Sequence, residues 1–241
     1  AMVNRAGEIS QQTDGAFDIS VGALTELWGV GHKGDYVPAE SEISRVLPLV
    51  DYRRVITDMA DHTVFLPAEG MKLDLGGIAK GYAINRAANI LRERGIQSAL
   101  INAGGDIQVI GPKPGGMPWR IGVQDPRSAE RLIAKITLTD WDMMETSGDY
   151  QRYFIKAGIR YTHILDPKTG KQPREVAGVT LVYNHRQSGL IPSSAFMVLG
   201  VEKGIEVLRR FPGVEAIFVT ADGRVIVTPG LEGRVELIHG G

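Results

Sequence analysis

The chain contains no cysteine, which excludes disulfides, a thiolate nucleophile and cysteine-ligated zinc or iron–sulfur centres within it. The redox compartment stays open. It also lacks an excess of either charge, with 27 Lys+Arg against 28 Asp+Glu and a formal net charge of −1. Acids and bases are interspersed, so the basic stripe of a nucleic-acid binder is missing and no nucleic-acid partner is expected. Any anion the protein holds must be held locally. No apolar run reaches the ~18 residues of a membrane span, and the N-terminus has neither the basic nor the apolar region of a secretory signal. The five histidines, His32, His62, His163, His185 and His239, show no ligand spacing of the His-Glu-x-x-His kind, which argues against a zinc enzyme. Trp28, Trp119 and Trp141 lie too far apart in sequence to suggest a stacking platform and read as core or pocket wall.

What the sequence has in surplus is glycine, 30 of 241 residues, about 12% where ~7% is typical. Such positions serve turns and close backbone approaches. Hydrophobic content of 43% with 23% charged residues suits a globular chain, read here as one domain over residues 1–241. The opening segment to Gly15 reads as the tail of a helix already under way, and an N-terminal portion is expected ahead of Ala1.

Periodicity predicts helices at Val21 to Trp28, Ser41 to Val50, Ser193 to Leu199 and Gly204 to Phe211. The clearest helix is Gly77 to Arg94, with Ile84, Ala87, Ala88 and Leu91 on one face and Gly95 as its stop. Arg54 to Thr57, Thr63 to Leu66 and Met71 to Leu75 are short β-prone runs, expected as a small meander. Further strands are predicted at Ser98 to Asn102, Ile107 to Ile110, Trp119 to Val123, Ile133 to Leu138, Gln151 to Ile155 and Val179 to Tyr183. Ala216 to Thr220 and Val225 to Thr228 flank the hairpin signal Ala221-Asp222-Gly223. Strands and helices alternate irregularly, which predicts an α+β fold with mixed sheets.

Three segments carry candidate chemistry. Leu73 to Tyr82 (LDLGGIAKGY) runs from a strand through paired glycines directly into a helix, so first-turn amides and Lys80 can receive a phosphate or pyrophosphate. It matches neither the Walker nor the Rossmann pattern, and the same residues also read as an ordinary turn with a solvent-facing lysine. Asn102 to Asp106 (NAGGD) places a second glycine pair after an apolar strand, as a ligand-facing loop or a plain hairpin. His163 and Asp166 precede the Pro167 to Gly170 reversal. His163 is either a proton carrier or a structural histidine.

Taken with Asp14 to Gly31 (DGAFDISVGALTELWGVG), Ile101 to Ile107 (INAGGDI), Thr146 to Tyr150 (TSGDY) and His163 to Gly170 (HILDPKTG), this chain resembles the ApbE family of FAD:protein FMN transferases over most of its length. The resemblance implies an α+β fold around an extended FAD cleft. It also implies a Mg2+-dependent transfer of FMN from FAD to a threonine hydroxyl of an acceptor flavoprotein subunit, with FAD pyrophosphatase activity in some members. Carried over by position, Ala16, Phe17, Asp18, Asp74, Lys80 and Ile164 are FAD contacts, and Gly77 and Ser194 face the metal. His163 and Ser194 are the catalytic candidates. Exported members carry a lipoprotein signal further upstream. The resemblance therefore implies an extracytoplasmic or periplasmic protein, associated with the membrane only through an N-terminal anchor that this chain does not contain.

One position departs from the family pattern. Members carry an Asp four residues before a Thr ahead of a Val-Leu-Gly helix, and this pair ligates the metal. Here the stretch is Gly189 to Gly200 (GLIPSSAFMVLG), with Ser194 for the Thr and Leu190 for the Asp, and no acidic residue lies between Glu175 and Glu202. Mg2+ prefers hard oxygen ligands including a carboxylate. Substrate phosphates with a nearby acid, such as Asp18 or Asp149, are what remains to hold a metal. Three functions therefore follow: an active transferase or pyrophosphatase, a non-catalytic FAD-binding protein with a degenerate metal site, or a scaffold that has lost the ligand.

Overall fold

The structure, a computed structural model, describes residues 2–184 and 190–238. His185, Gly189 and His239 lie outside the described residues. Six antiparallel strands form the central sheet: β3 (Ala99–Ala103), β4 (Asp106–Ile110), β7 (Asp142–Gly148), β10 (Val176–Asn184), β11 (Val214–Thr220) and β12 (Val225–Val227), in the order β12-β11-β10-β7-β4-β3. A second sheet is built from β5 (Trp119–Asp125), β6 (Ser128–Leu138) and β13 (Val235–Leu237), ordered β13-β6-β5.

The central sheet is buried on both faces, and side-chain alternation along each strand explains how. Leu181 and Tyr183 of β10 join a core with Ile9 of α1 (Met2–Gln12), Ile78 and Ile84 of α4 (Gly76–Glu93) and Phe196 of α5 (Ser193–Leu208). Val182, between them, points the other way, into a core with Val123, Ile136 and Leu138 of the smaller sheet. β7 repeats the pattern, with Met143 in the first core and Met144 in the second. The result is a helix–sheet–sheet sandwich of α+β class, as expected.

A smaller apolar cluster joins α2 (Gly22–Trp28) and α3 (Glu40–Val46) to the hairpin of β8 (Tyr153–Lys156) and β9 (Ile159–Thr162). Trp28 belongs to it as core, with its indole N–H donating to the Gly170 carbonyl at 2.8 Å. Among the described residues no helix is long and apolar enough to cross a membrane.

The structure corrects several predicted boundaries. The helix expected over Ser41 to Val50 stops at Val46 and tightens into a 3-10 turn, Leu47–Leu49, because Pro48 cannot donate an intrahelical hydrogen bond. The expected meander is a two-stranded hairpin, β1 (Ile56–Asp58) and β2 (Thr63–Phe65). The third run, Met71 to Leu75, is extended but makes a single parallel bridge, Val21 to Lys72. The two helices expected over 193–211 are present and meet at a kink, the second ending at Leu208. Gly200 sits inside it at φ 74° and ψ −171°, and a Cβ there would lie 2.2 Å from Glu175 Oε2. Only glycine fits that backbone and that approach. β7 and β13 were not expected from the sequence at all.

Candidate functional site

A cavity of about 600 Å³ opens where α4, α5 and β7 meet the 16–18 and 163–167 loops. Ala16, Phe17, Asp18, Asp74, Gly77, Lys80, His163, Ile164 and Ser194 all line it, although they come from segments far apart in sequence. The N-termini of α4 and α5 both reach this cavity through Gly76, Gly77 and Ser194. The 18-residue α4 brings partial positive charge to its first turn, and the short helical segment of α5 ahead of Gly200 adds a smaller share. Together with Lys80 they make the site suited to a polyanion.

α4 forms because Ile78, Gly81, Ile84 and Ala88 recur at helical spacing and bury one face. Its end is capped by Gly95 at φ 79°, with Ile96 N–H donating back to the Leu91 carbonyl. At its start, the Asp74 carboxylate accepts the Gly76 N–H at 2.8 Å, so one first-turn amide is already occupied. Gly77 leaves room at the cavity floor, where a Cβ would lie 3.0 Å from the Phe17 ring and 3.2 Å from Ser194 Oγ.

Lys80 is not the free solvent-facing lysine of the bland sequence reading. Its Nζ lies 2.7 Å from the buried Asp106 carboxylate, whose other oxygen accepts the Thr146 N–H at 3.1 Å. Asp106 therefore points inward from β4, while the Asn102 to Gly105 turn is a hairpin closed by Asn102 Oδ1 accepting the Gly105 N–H, with Gly104 at the cavity wall. Burial pushes the Asp106 carboxyl up, with Lys80 pulling against it.

Glu145 is the residue that sequence reading passed over. Alternation along β7 turns it, like Met143, toward the helices, and its Oε1 accepts from the N–H of Ser193 at 2.8 Å and from Ser193 Oγ at 3.2 Å. Burial, and then the neighbouring Asp106 charge, push its carboxyl up to about 8. At neutral pH it holds its proton, and a cation brought beside it would favour the ionised form. The signal for it was present as an acid in the apolar run before TSGDY. Reading that signal required β7.

The two acids that remained to hold a metal are committed elsewhere. Asp18 lines the cavity, but its oxygens accept from Ser20 N–H and Oγ and from Tyr52 N–H at 2.6 to 2.9 Å. Asp149 forms a two-point ion pair with Arg127 at 2.6 and 2.9 Å. Both hold loops together. Leu190 itself is buried in the helix-side core, and among the described residues no three His, Cys, Asp or Glu side chains converge on a common point.

His163 contacts the Arg152 carbonyl through Nδ1 at 3.3 Å. Because a carbonyl only accepts, Nδ1 carries the proton and Nε2 is the acceptor. Burial, reinforced by the Arg152 charge, lowers this imidazole from 6.5 to about 4, so His163 is neutral at pH 7. The unfolded chain then binds an extra proton between pH 6.5 and 4, so the stability from His163 is complete above pH 6.5 and is lost as pH falls toward 4. His163→Gln is expected to remove about 1–3 kcal/mol of that acid-side loss. Urea unfolding at pH 7 and pH 4.5 checks it, and equal pH slopes in both proteins would rule it out.

The sequence profile of the ApbE family matches residues 1–218. Relatives named FAD:protein FMN transferase include one from Klebsiella pneumoniae (strain 342), 37% identical over 229 residues covering 94% of this chain and 70% of that protein. Another, from Treponema pallidum (strain Nichols), is 33% identical over 252 residues, 99% of this chain and 70% of that protein. The crystal structure of the ApbE protein from Thermotoga maritima superposes with a TM-score of 0.86 at 36% identity, over 96% of this chain and 76% of that one. The apo form of the Pseudomonas stutzeri flavinyl transferase ApbE gives 0.79 at 31% identity, over 97% and 73%.

Proposed function

Since the chain belongs to the ApbE family, we propose that it transfers FMN from FAD to a threonine hydroxyl of an acceptor flavoprotein, with Mg2+ at the phosphates. The observation that carries this reading is the convergence of two helix N-termini and Lys80 on one cavity. In the proposed reaction the acceptor oxygen bonds to the FMN-side phosphorus and the pyrophosphate P–O bond breaks. AMP leaves with the electron pair, and the hydroxyl proton passes to a base. With water in place of the acceptor the same step is FAD hydrolysis to FMN and AMP.

Such a transfer asks mainly for positioning and charge neutralisation. In this reading Lys80 and the α4 and α5 first turns hold the pyrophosphate oxygens. Phe17 and Ile164, both buried at the cavity wall, pack the flavin nucleotide. Neutral His163, with Nε2 as acceptor, orients the attacking hydroxyl and takes its proton. Gly77 and Ser194, together with a carboxylate, would hold the divalent cation, which when bound neutralises charge developing on the phosphates. The close approach of Ser194 Oγ to the Gly77 cradle fits a site of hard oxygen donors.

A second reading, FAD binding without turnover, is favoured by Leu190, an apolar side chain where the family carries a metal-binding acid. The test incubates the chain with FAD and Mg2+, measuring AMP and FMN release, and offers a threonine-containing acceptor peptide to capture covalent flavin. The transferase reading expects EDTA-sensitive AMP release and a flavinylated peptide. Tight FAD binding with no AMP would replace it by the second reading.

A further inference from the structure

We propose that Glu145 is the acidic ligand of the divalent cation in this cavity, standing in for the carboxylate that position 190 lacks. The proposal builds on the flavin-transfer reading and specifies the residue on which its metal dependence rests. Gly77 and Gly81 lie one turn apart on the same face of α4 and mark two neighbouring contact points. A Cβ on Gly77 would meet Ser194 Oγ at 3.2 Å, while a Cβ on Gly81 would meet Leu190 Cδ2 at 3.0 Å and Glu145 Oε2 at 3.6 Å. The side chains of residues 190 and 145 thus reach the same spot, one from the segment before α5 and the other from β7. Leu190 brings a methyl group there and Glu145 brings an oxygen.

The carboxylate is also held as a ligand would be. Glu145 is 7% exposed and lines the cavity. Ser193, the neighbour of Ser194, fixes Oε1 with two hydrogen bonds, and among the described residues no hydrogen bond reaches Oε2. A carboxylate oxygen that no donor occupies, on a side chain lining the cavity, is suited to a hard cation. Asp106 has both oxygens committed, to Thr146 and Lys80. Asp74 commits one oxygen to the start of α4 and is the rival ligand.

The experiment uses the full chain at pH 7.5 and Mn2+ as a spin probe, alone and with ADP, following free Mn2+ by electron paramagnetic resonance. Glu145→Gln is expected to weaken Mn2+ binding about 10- to 100-fold, the size seen when a metal site loses a supporting group. Glu145→Ala/Leu190→Asp, which moves the carboxylate back to position 190, is expected to recover most of it. Circular dichroism and Tm at pH 6 establish that both variants are folded. Wild-type Mn2+ affinity in folded Glu145→Gln, loss in Asp74→Asn instead, no recovery in the folded double variant, or no Mn2+ binding by the wild type in either condition overturns the proposal. FAD turnover measured alongside separates the two claims. Glu145-dependent Mn2+ binding without AMP release leaves the ligand assignment standing and removes the transferase. Mg2+-dependent transfer unchanged in Glu145→Gln does the reverse.

Discussion

Lys80→Met is expected to lower FMN transfer by about 10²- to 10³-fold, the cost of removing one preorganised charge or donor from a transition state. Two effects are superimposed in that variant, and they can be separated. Lys80 neutralises a phosphate in the proposed complex, and it also pairs at 2.7 Å with Asp106, whose side chain is 2% exposed. Deleting half-exposed Lys80 leaves the buried Asp106 carboxylate without its partner, a cost that solvent around the lysine holds to about 1–3 kcal/mol. Lys80→Met should therefore lose stability as well as activity, with Asp106 taking up a proton to limit the damage. Lys80→Met/Asp106→Asn removes both charges and is expected to regain most of the stability while transfer stays low. Tm and kcat measured on the same preparations test this. Recovery of activity in the double variant would show that Lys80 only shields Asp106 and does not act on the substrate.

Glu145→Gln carries a large expected effect on stability, and its size depends on pH. Burial and Asp106 raise the folded-state Glu145 carboxyl to about 8 from an ordinary 4.5, so the folded chain retains a proton that the unfolded chain releases. The stability contributed by the protonated side chain is full below pH 4.5 and is lost as pH rises through 8. Glutamine cannot ionise, and its amide oxygen can still accept from Ser193. At pH 8 without metal the variant is expected to be more stable than the wild type by about 2–4 kcal/mol, or several degrees in Tm for a chain of this size. At pH 5 the difference should nearly vanish. Saturating Mn2+ should narrow the gap at pH 8, because a ligand of the folded state stabilises only the protein that binds it. Parallel Tm profiles for the two proteins from pH 5 to 8 would contradict this account. A variant that gains stability and loses cation binding is the trade expected where a site keeps a buried acid.

Much of the fold was legible from local pattern. The spacing of Ile84, Ala87, Ala88 and Leu91 with Gly95 behind them identified α4 within a residue or two, because period and capping are properties of a single turn of chain. Turn chemistry located the β11–β12 hairpin for the same reason. β7 escaped because its alternation is Met, Glu and Ser on one face and Met and Thr on the other. Both faces are buried, so the polar-out signal that marks a half-exposed strand is absent. Pro48 moved a boundary where one backbone group could not continue the pattern.

The candidate site divides along the same line. The order of the motifs indicated the family, and the resemblance, carried over position by position, selected Ala16, Phe17, Asp18, Asp74, Gly77, Lys80, His163, Ile164 and Ser194. It also exposed the missing carboxylate at Leu190. Which oxygens remain available was decided by tertiary structure: Asp18 is consumed by Ser20 and Tyr52, Asp149 by Arg127, and Asp106 by Thr146 and Lys80. Glu145 reaches Ser193 across 48 positions of chain. Helical period, turn residues and motif spacing act over a few residues and can be read along the sequence. Burial, charge pairing and the meeting of residues 145 and 190 beside Gly81 arise only when the central sheet brings β7 under the first turns of α4 and α5, since all three act through space and fall off within a few ångströms.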